Sequence, residues 1–168
     1  MGEHADATPR IVVGIDAGSA SAGALSWARA EAAVRGADVW AVHVWQESGE
    51  HAAPYAPATE PGHGRRNAAA RFAAFLREHT PRAANVPVRA VLEHGDPAVV
   101  LPRVADGADL LVVGARIDPS LPVTLGPTLR ACLRSARCPV VVVTATAPAG
   151  AAHDGTRPAA ATTAAGWS

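Results

Sequence analysis

Residues 10–16 read RIVVGID and residues 109–114 read DLLVVG. Both are nearly unbroken runs of branched apolar residues. A strand with one wet face alternates apolar and polar side chains. A continuous run instead marks a strand buried on both faces, as in a parallel sheet covered by helices on either side. Three further runs have the same character: residues 38–45 (DVWAVHVW), 86–92 (VPVRAVL) and 139–144 (PVVVVT). Arg89 interrupts the run at 86–92, which places that strand toward an edge of the sheet.

Helical patterns fill the gaps. Residues 21–35 carry Ala24, Leu25, Ala28, Ala32 and Ala33, and Gly36 stands where a helix would end. Residues 67–79 place Ala68, Phe72, Phe75 and Leu76 on one face. Asp96 and Pro97 read as an N-cap followed by the first helical residue, ahead of Val99, Val100, Leu101 and Val104. Pro127 opens a further helix with Leu129, Cys132, Leu133 and Ala136, and Leu129 and Leu133 are expected in the core. Strand and helix therefore alternate through five strands and four helices. That order predicts an α/β domain with a doubly wound parallel sheet and right-handed crossovers.

The 168 residues suit one domain. The expected folded part is 9–145, with disordered segments at 1–8 and 146–168, where few large apolar residues offer surface to bury. Residues 46–65 read as a long loop containing Pro, Gly and His. Acidic and basic residues balance at 15 each, which argues against a nucleic-acid partner. All the basic residues are Arg. Without Lys there is no phosphate-cradling Lys loop, no Schiff-base Lys and no kinase-type Lys. Cys132 and Cys138 make neither a disulfide framework nor a four-ligand zinc site, and they read as small core hydrophobes. No apolar run is long enough for a membrane span, and residues 1–9 lack an apolar signal core. The expectation is a cytoplasmic protein with no membrane partner.

In open α/β sheets, ligands bind beyond the carboxyl ends of the strands, where the strand order reverses. For an order of 3-2-1-4-5, the loops after Asp16 and after Gly114 face each other there. The Asp16 carboxylate could accept hydrogen bonds from a ligand or from backbone amides of its own turn. Residues 114–128 read as a glycine loop leading to a helix N-terminus, which could hold phosphate or serve as an ordinary connection. Arg130, Arg134 and Arg137 share one side of the last helix and read as a solvated face. His43, within a strand, reads as a satisfied core residue. The seven His have no metal-ligand spacing, no nucleophilic triad can be assembled, and the dinucleotide fingerprint Gly-x-Gly-x-x-Gly is absent after the first strand.

These residues carry a resemblance. Ile11-Val12-Val13-Gly14-Ile15-Asp16 followed by Ser21, Ala24, Leu25, Trp27 and Ala28 resembles the opening of a universal stress protein. Val42-His43-Val44-Trp45, Gly95-Asp96-Pro97-Ala98, the stretch 109–116 and Cys138-Pro139 with the valines after it follow in the family's order. The resemblance covers about 9–145. It implies a Rossmann-like, adenine-nucleotide alpha-hydrolase-like sandwich with a five-stranded sheet of order 3-2-1-4-5. It also implies a homodimer, here through the run 139–144, which opens with Pro139 and closes with Thr144. A Val-rich sheet edge needs such a cover.

The same resemblance makes Asp16, Val42, Gly114, Arg116, Gly126 and Thr128 candidate nucleotide-binding residues, with ATP or another adenine nucleotide as the candidate ligand. ATP-binding members carry Gly, two residues, Gly, nine residues, Gly, then Ser or Thr. In this chain Ile117 replaces the second Gly, eight residues separate it from Gly126, and Pro127 replaces Ser or Thr. The resemblance thus implies a non-enzymatic, stress-linked binding protein with a degenerate nucleotide site. A slowly ATP-hydrolysing member is the alternative.

Overall fold

The computed structural model describes residues 8–46, 62–80, 86–117 and 125–146. Its elements are β1 (Arg10–Gly14), α1 (Ser19–Arg35), β2 (Asp38–Trp45), α2 (His63–His79), β3 (Val88–His94), α3 (Pro97–Val104), β4 (Leu110–Ile117), α4 (Pro127–Ser135) and β5 (Val140–Thr146). The strands form one parallel sheet of order β3-β2-β1-β4-β5. In register, Ile11 lies between Val39 and Leu110, and Val13 between Ala41 and Val112.

The unbroken apolar runs now have their cause. β1 alternates its side chains between two dry layers. Ile11 and Val13 meet Ala24, Leu25 and Ala28 of α1 and Phe72 and Phe75 of α2. Val12 meets Leu101 of α3 and Leu129 and Cys132 of α4 on the opposite face. Each fully buried Val, Leu or Ile contributes about 1.5–3 kcal/mol relative to exposure. β3 is an edge strand, as Arg89 suggested, and most of it is only partly covered. β5 is the other edge.

Local signals hold at several ends. Asp96 accepts a hydrogen bond from the Ala98 amide at 2.9 Å, with Pro97 opening α3. Gly36 takes a left-handed conformation (φ 64°) after α1, a backbone that favours glycine. Burial pushes the Cys132 thiol up to about 11 and also raises Cys138, so both stay protonated at neutral pH.

Other boundaries move. α1 begins at Ser19 rather than Ser21, and α2 begins at His63, so the end of the expected 46–65 loop is helical. β4 continues to Ile117 because β5 pairs beside it as far as Ile117↔Thr146, so Gly114 lies inside a strand and does not begin a loop. For the same reason Thr146, expected to open the disordered segment 146–168, belongs to β5. Leu133, expected in the core, is 49% exposed. α4 buries Leu129, Ala131 and Cys132, and Leu133 falls outside that face. The expectations for 1–7, for 47–61 and for 147–168 lie outside the described residues, as does the middle of the expected glycine loop, 118–124. No helix among the described residues is long and apolar enough to cross a membrane.

Candidate nucleotide site

The strand order reverses between β1 and β4: the chain runs outward through β2 to β3, then returns to lay β4 on the other side of β1. Helices after β1 and β4 pack on opposite faces, the arrangement that in open α/β sheets places a ligand crevice beyond the carboxyl ends of the two strands. Asp16 lies just past β1 and is exposed. Its Oδ1 accepts hydrogen bonds from the Gly18 amide at 2.7 Å and from Ser21 Oγ at 2.5 Å. Ser21 Oγ in turn accepts from the Asp16 amide at 2.9 Å. The turn-bonding role open for Asp16 is thus realised through Oδ1, and these bonds fix the direction of the whole carboxylate at the rim of the crevice.

Ser21 is the residue that reading the sequence missed. It opens a helical pattern, yet it is 3% exposed and its hydroxyl bonds to Asp16. The available signal was a lone hydroxyl on the otherwise small, apolar face of α1. Between them, Ala17 adopts φ 63°, a left-handed conformation that costs a non-glycine residue about 1–2 kcal/mol. Backbone strain of this kind clusters at functional turns.

The other candidates divide. Val42 is fully buried in β2, and its carbonyl accepts the Ile15 amide at 2.8 Å, extending the β1–β2 pairing to the edge of the crevice. His43 beside it donates from Nδ1 to the Ile15 carbonyl at 2.7 Å and stacks on Phe72, so it is the satisfied residue expected. A Cβ at Gly114 would stand 2.5 Å from the backbone carbon and oxygen of Ala20. This glycine lets the start of α1 approach β4, a packing role and not a loop role. Arg116 is exposed near the end of β4. Gly126 is the N-cap of α4, and a Cβ there would meet nothing within 4 Å. Thr128 follows in the first turn, half-buried.

The donors at that N-terminus can be counted. The Arg130 amide bonds to the Gly126 carbonyl at 3.0 Å. Pro127 has no amide hydrogen, so Thr128 and Leu129 supply the remaining first-turn donors. Among the described residues, no group of three or more His, Cys, Asp or Glu could hold a metal ion.

Comparison with known proteins identifies the family and agrees with the fold. A model of the universal stress protein family matches residues 8–144. No curated protein sequence matches the chain. Among solved structures, a universal stress protein family member from Burkholderia pseudomallei is 26% identical with a TM-score of 0.60, covering 81% of this chain and 96% of that one. A universal stress protein from Archaeoglobus fulgidus, solved in complex with dAMP, is 21% identical with a TM-score of 0.54, covering 82% and 98%. One from Arabidopsis thaliana, solved with AMP bound, is 20% identical with a TM-score of 0.55, covering 81% and 91%. The family match runs from the residues before β1 into β5 and takes in Asp16, Gly126 and the reversal between them; the chain belongs to the universal stress protein family.

Proposed function

We propose that this protein is a non-enzymatic, stress-linked binding protein that takes the nucleoside end of an adenine nucleotide at the β1–β4 crevice and holds a triphosphate poorly. The observation that carries this reading is the Asp16 carboxylate, held in place by Ser21 and Gly18 at the carboxyl end of β1, where the strand order reverses. A fixed carboxylate can accept from a ribose hydroxyl or an adenine amino group without first losing its own freedom. The AMP and dAMP bound to two relatives of the same fold support a nucleoside monophosphate as the ligand class.

The phosphate side is weaker. Pro127 removes one amide donor, and Ile117 sets a branched side chain where the family pattern has Gly. Each lost charge-assisted hydrogen bond costs about 1.5–3 kcal/mol. The non-enzymatic reading rests on the engagement of the reactive groups: Ser21 bonds to Asp16, His43 to a backbone carbonyl, and Cys132 is a buried, protonated thiol. The competing reading, ATP binding with slow hydrolysis, draws on Gly126 and Thr128, which keep the family's glycine and a hydroxyl at the start of α4. A cytoplasmic homodimer joined along β5 completes the proposal; β5 is a Val-rich edge strand.

Equilibrium titration followed by amide resonances tests the site. AMP should shift the amides around Asp16 and Ser21, and Asp16→Ala should weaken binding at least about tenfold, the loss of one charge-assisted hydrogen bond. Binding unchanged in Asp16→Ala would remove the carboxylate from the site.

A further inference from the structure

A second concavity lies away from the β1–β4 crevice, between α2 and the edge strand β3, with a volume of about 550 Å³. It falls within the range of small-molecule pockets, about 300–1,000 Å³. None of the candidate nucleotide residues lines it. Its walls are apolar: Phe72 and Leu76 from α2, Val88 and Leu92 from β3. Ala73 on the helix and Ala90 on the strand add only small side chains to the lining.

Two polar groups stand at the end formed by the last turn of α2. Arg77 is the one charged residue among the described lining, and no carboxylate faces it there. Arg77 makes no ion pair among the described residues. The Thr80 hydroxyl oxygen is buried and has no hydrogen-bond partner among the described residues. A buried hydroxyl without a partner is rare and costly in native proteins. An apolar slot ending in an unpaired guanidinium and an unsatisfied hydroxyl is complementary to one kind of molecule, an alkyl chain with an anionic head.

We propose that the groove between α2 and β3 binds a small amphiphilic carboxylate, with its chain between Phe72, Leu76, Val88 and Leu92 and its acid group on Arg77 and Thr80. The guanidinium offers a planar fork of donors that matches a carboxylate. The chain excludes water from the apolar walls, and the head pairs with the Arg77 guanidinium and the Thr80 hydroxyl, which have no partner among the described residues.

Titration of the full chain with decanoate, decanol and decylamine tests this, read by calorimetry and by amide shifts. Decanoate should bind saturably, one per chain, below its micelle concentration, and more tightly than either of the other two. Arg77→Gln should weaken decanoate by about tenfold or more while leaving decanol unchanged. Ala73→Leu should abolish binding of both by filling the slot. Arg77 and Ala73 are exposed, so both variants should fold, and their melting curves check this. Decylamine binding as tightly as decanoate would overturn the proposal. So would an undiminished affinity in Ala73→Leu, or displacement of decanoate by AMP. If decanoate fails to bind and Ala73→Leu instead changes the sedimentation of the protein, the groove belongs to a second copy of the chain and the proposal is wrong.

Discussion

A methyl group added at Gly114 would sit 2.5 Å from backbone atoms of Ala20, closer than real Cβ contacts come. Neither α1 nor β4 can yield without disturbing the layer between them. Gly114→Ala should therefore cost about 3 kcal/mol, the upper part of the overpacking range. In a chain of this size that lowers the melting temperature by roughly 6–12 °C. Gly126→Ala, with no described atom within 4 Å of the added Cβ and at an ordinary φ of −61°, should cost only about 1 kcal/mol, the N-cap preference for Gly over Ala. Equal effects at the two positions would show that α1 does not sit on Gly114 as described. Both residues read alike in the sequence, as small residues near a ligand loop. Their difference depends on what another element brings up against them, which no local pattern encodes. Asp16 and Ser21 teach the same point. The carboxylate was legible from its place after an apolar strand, but its anchor appears only once α1 has docked. Ser21→Ala should cost about 1–3 kcal/mol in thermal or denaturant unfolding, because the Asp16 amide loses its acceptor. It should also weaken AMP by freeing the carboxylate. Ser21→Ala that unfolds like the parent would mean the pair is incidental.

At the scale of elements, the strands were legible because burial on both faces demands unbroken Val and Ile, a requirement visible in β1 and β4 without any tertiary knowledge. Their ends were not. β4 runs past Gly114 only because β5 lies alongside, and α2 reaches back to His63 through residues with no apolar period of their own. α4 is the element on which the phosphate question turns. Its first turn starts with Pro127, pre-set for helix but without an amide hydrogen. Ile117→Gly with Pro127→Ser restores a donor, a hydroxyl and an approach for the phosphates. The double variant should bind ATP at least about tenfold more tightly than the parent, with AMP affinity unchanged. No gain in ATP affinity would mean that the shortened connection, not these two side chains, sets the limit.

At the scale of the whole molecule, the order β3-β2-β1-β4-β5 leaves two edges of unlike character. β3 carries Arg89 and Glu93, which discourage pairing with another chain. β5 carries four consecutive valines, with Val141 and Val143 half-buried over the α1 side and Val140 and Val142 over the other. Joining two copies along β5 would extend both sheets and cover both edges symmetrically. Sedimentation at micromolar concentration should give a dimer, and Val141→Lys should shift it toward monomer; a parent protein that sediments as a monomer contradicts the proposal. The sheet order was legible from the resemblance and the alternation of elements. The anchoring of Asp16 was not, because it depends on Ser21 being brought to the end of β1 by the docking of α1. The central claim is that the β1–β4 crevice accepts a nucleoside monophosphate and discriminates against the triphosphate. The most direct measurement is a pair of calorimetric titrations under the same conditions, one with AMP and one with ATP and magnesium. The account predicts saturable binding of AMP and an ATP affinity at least about tenfold weaker. ATP bound as tightly as AMP, or more tightly, would contradict it.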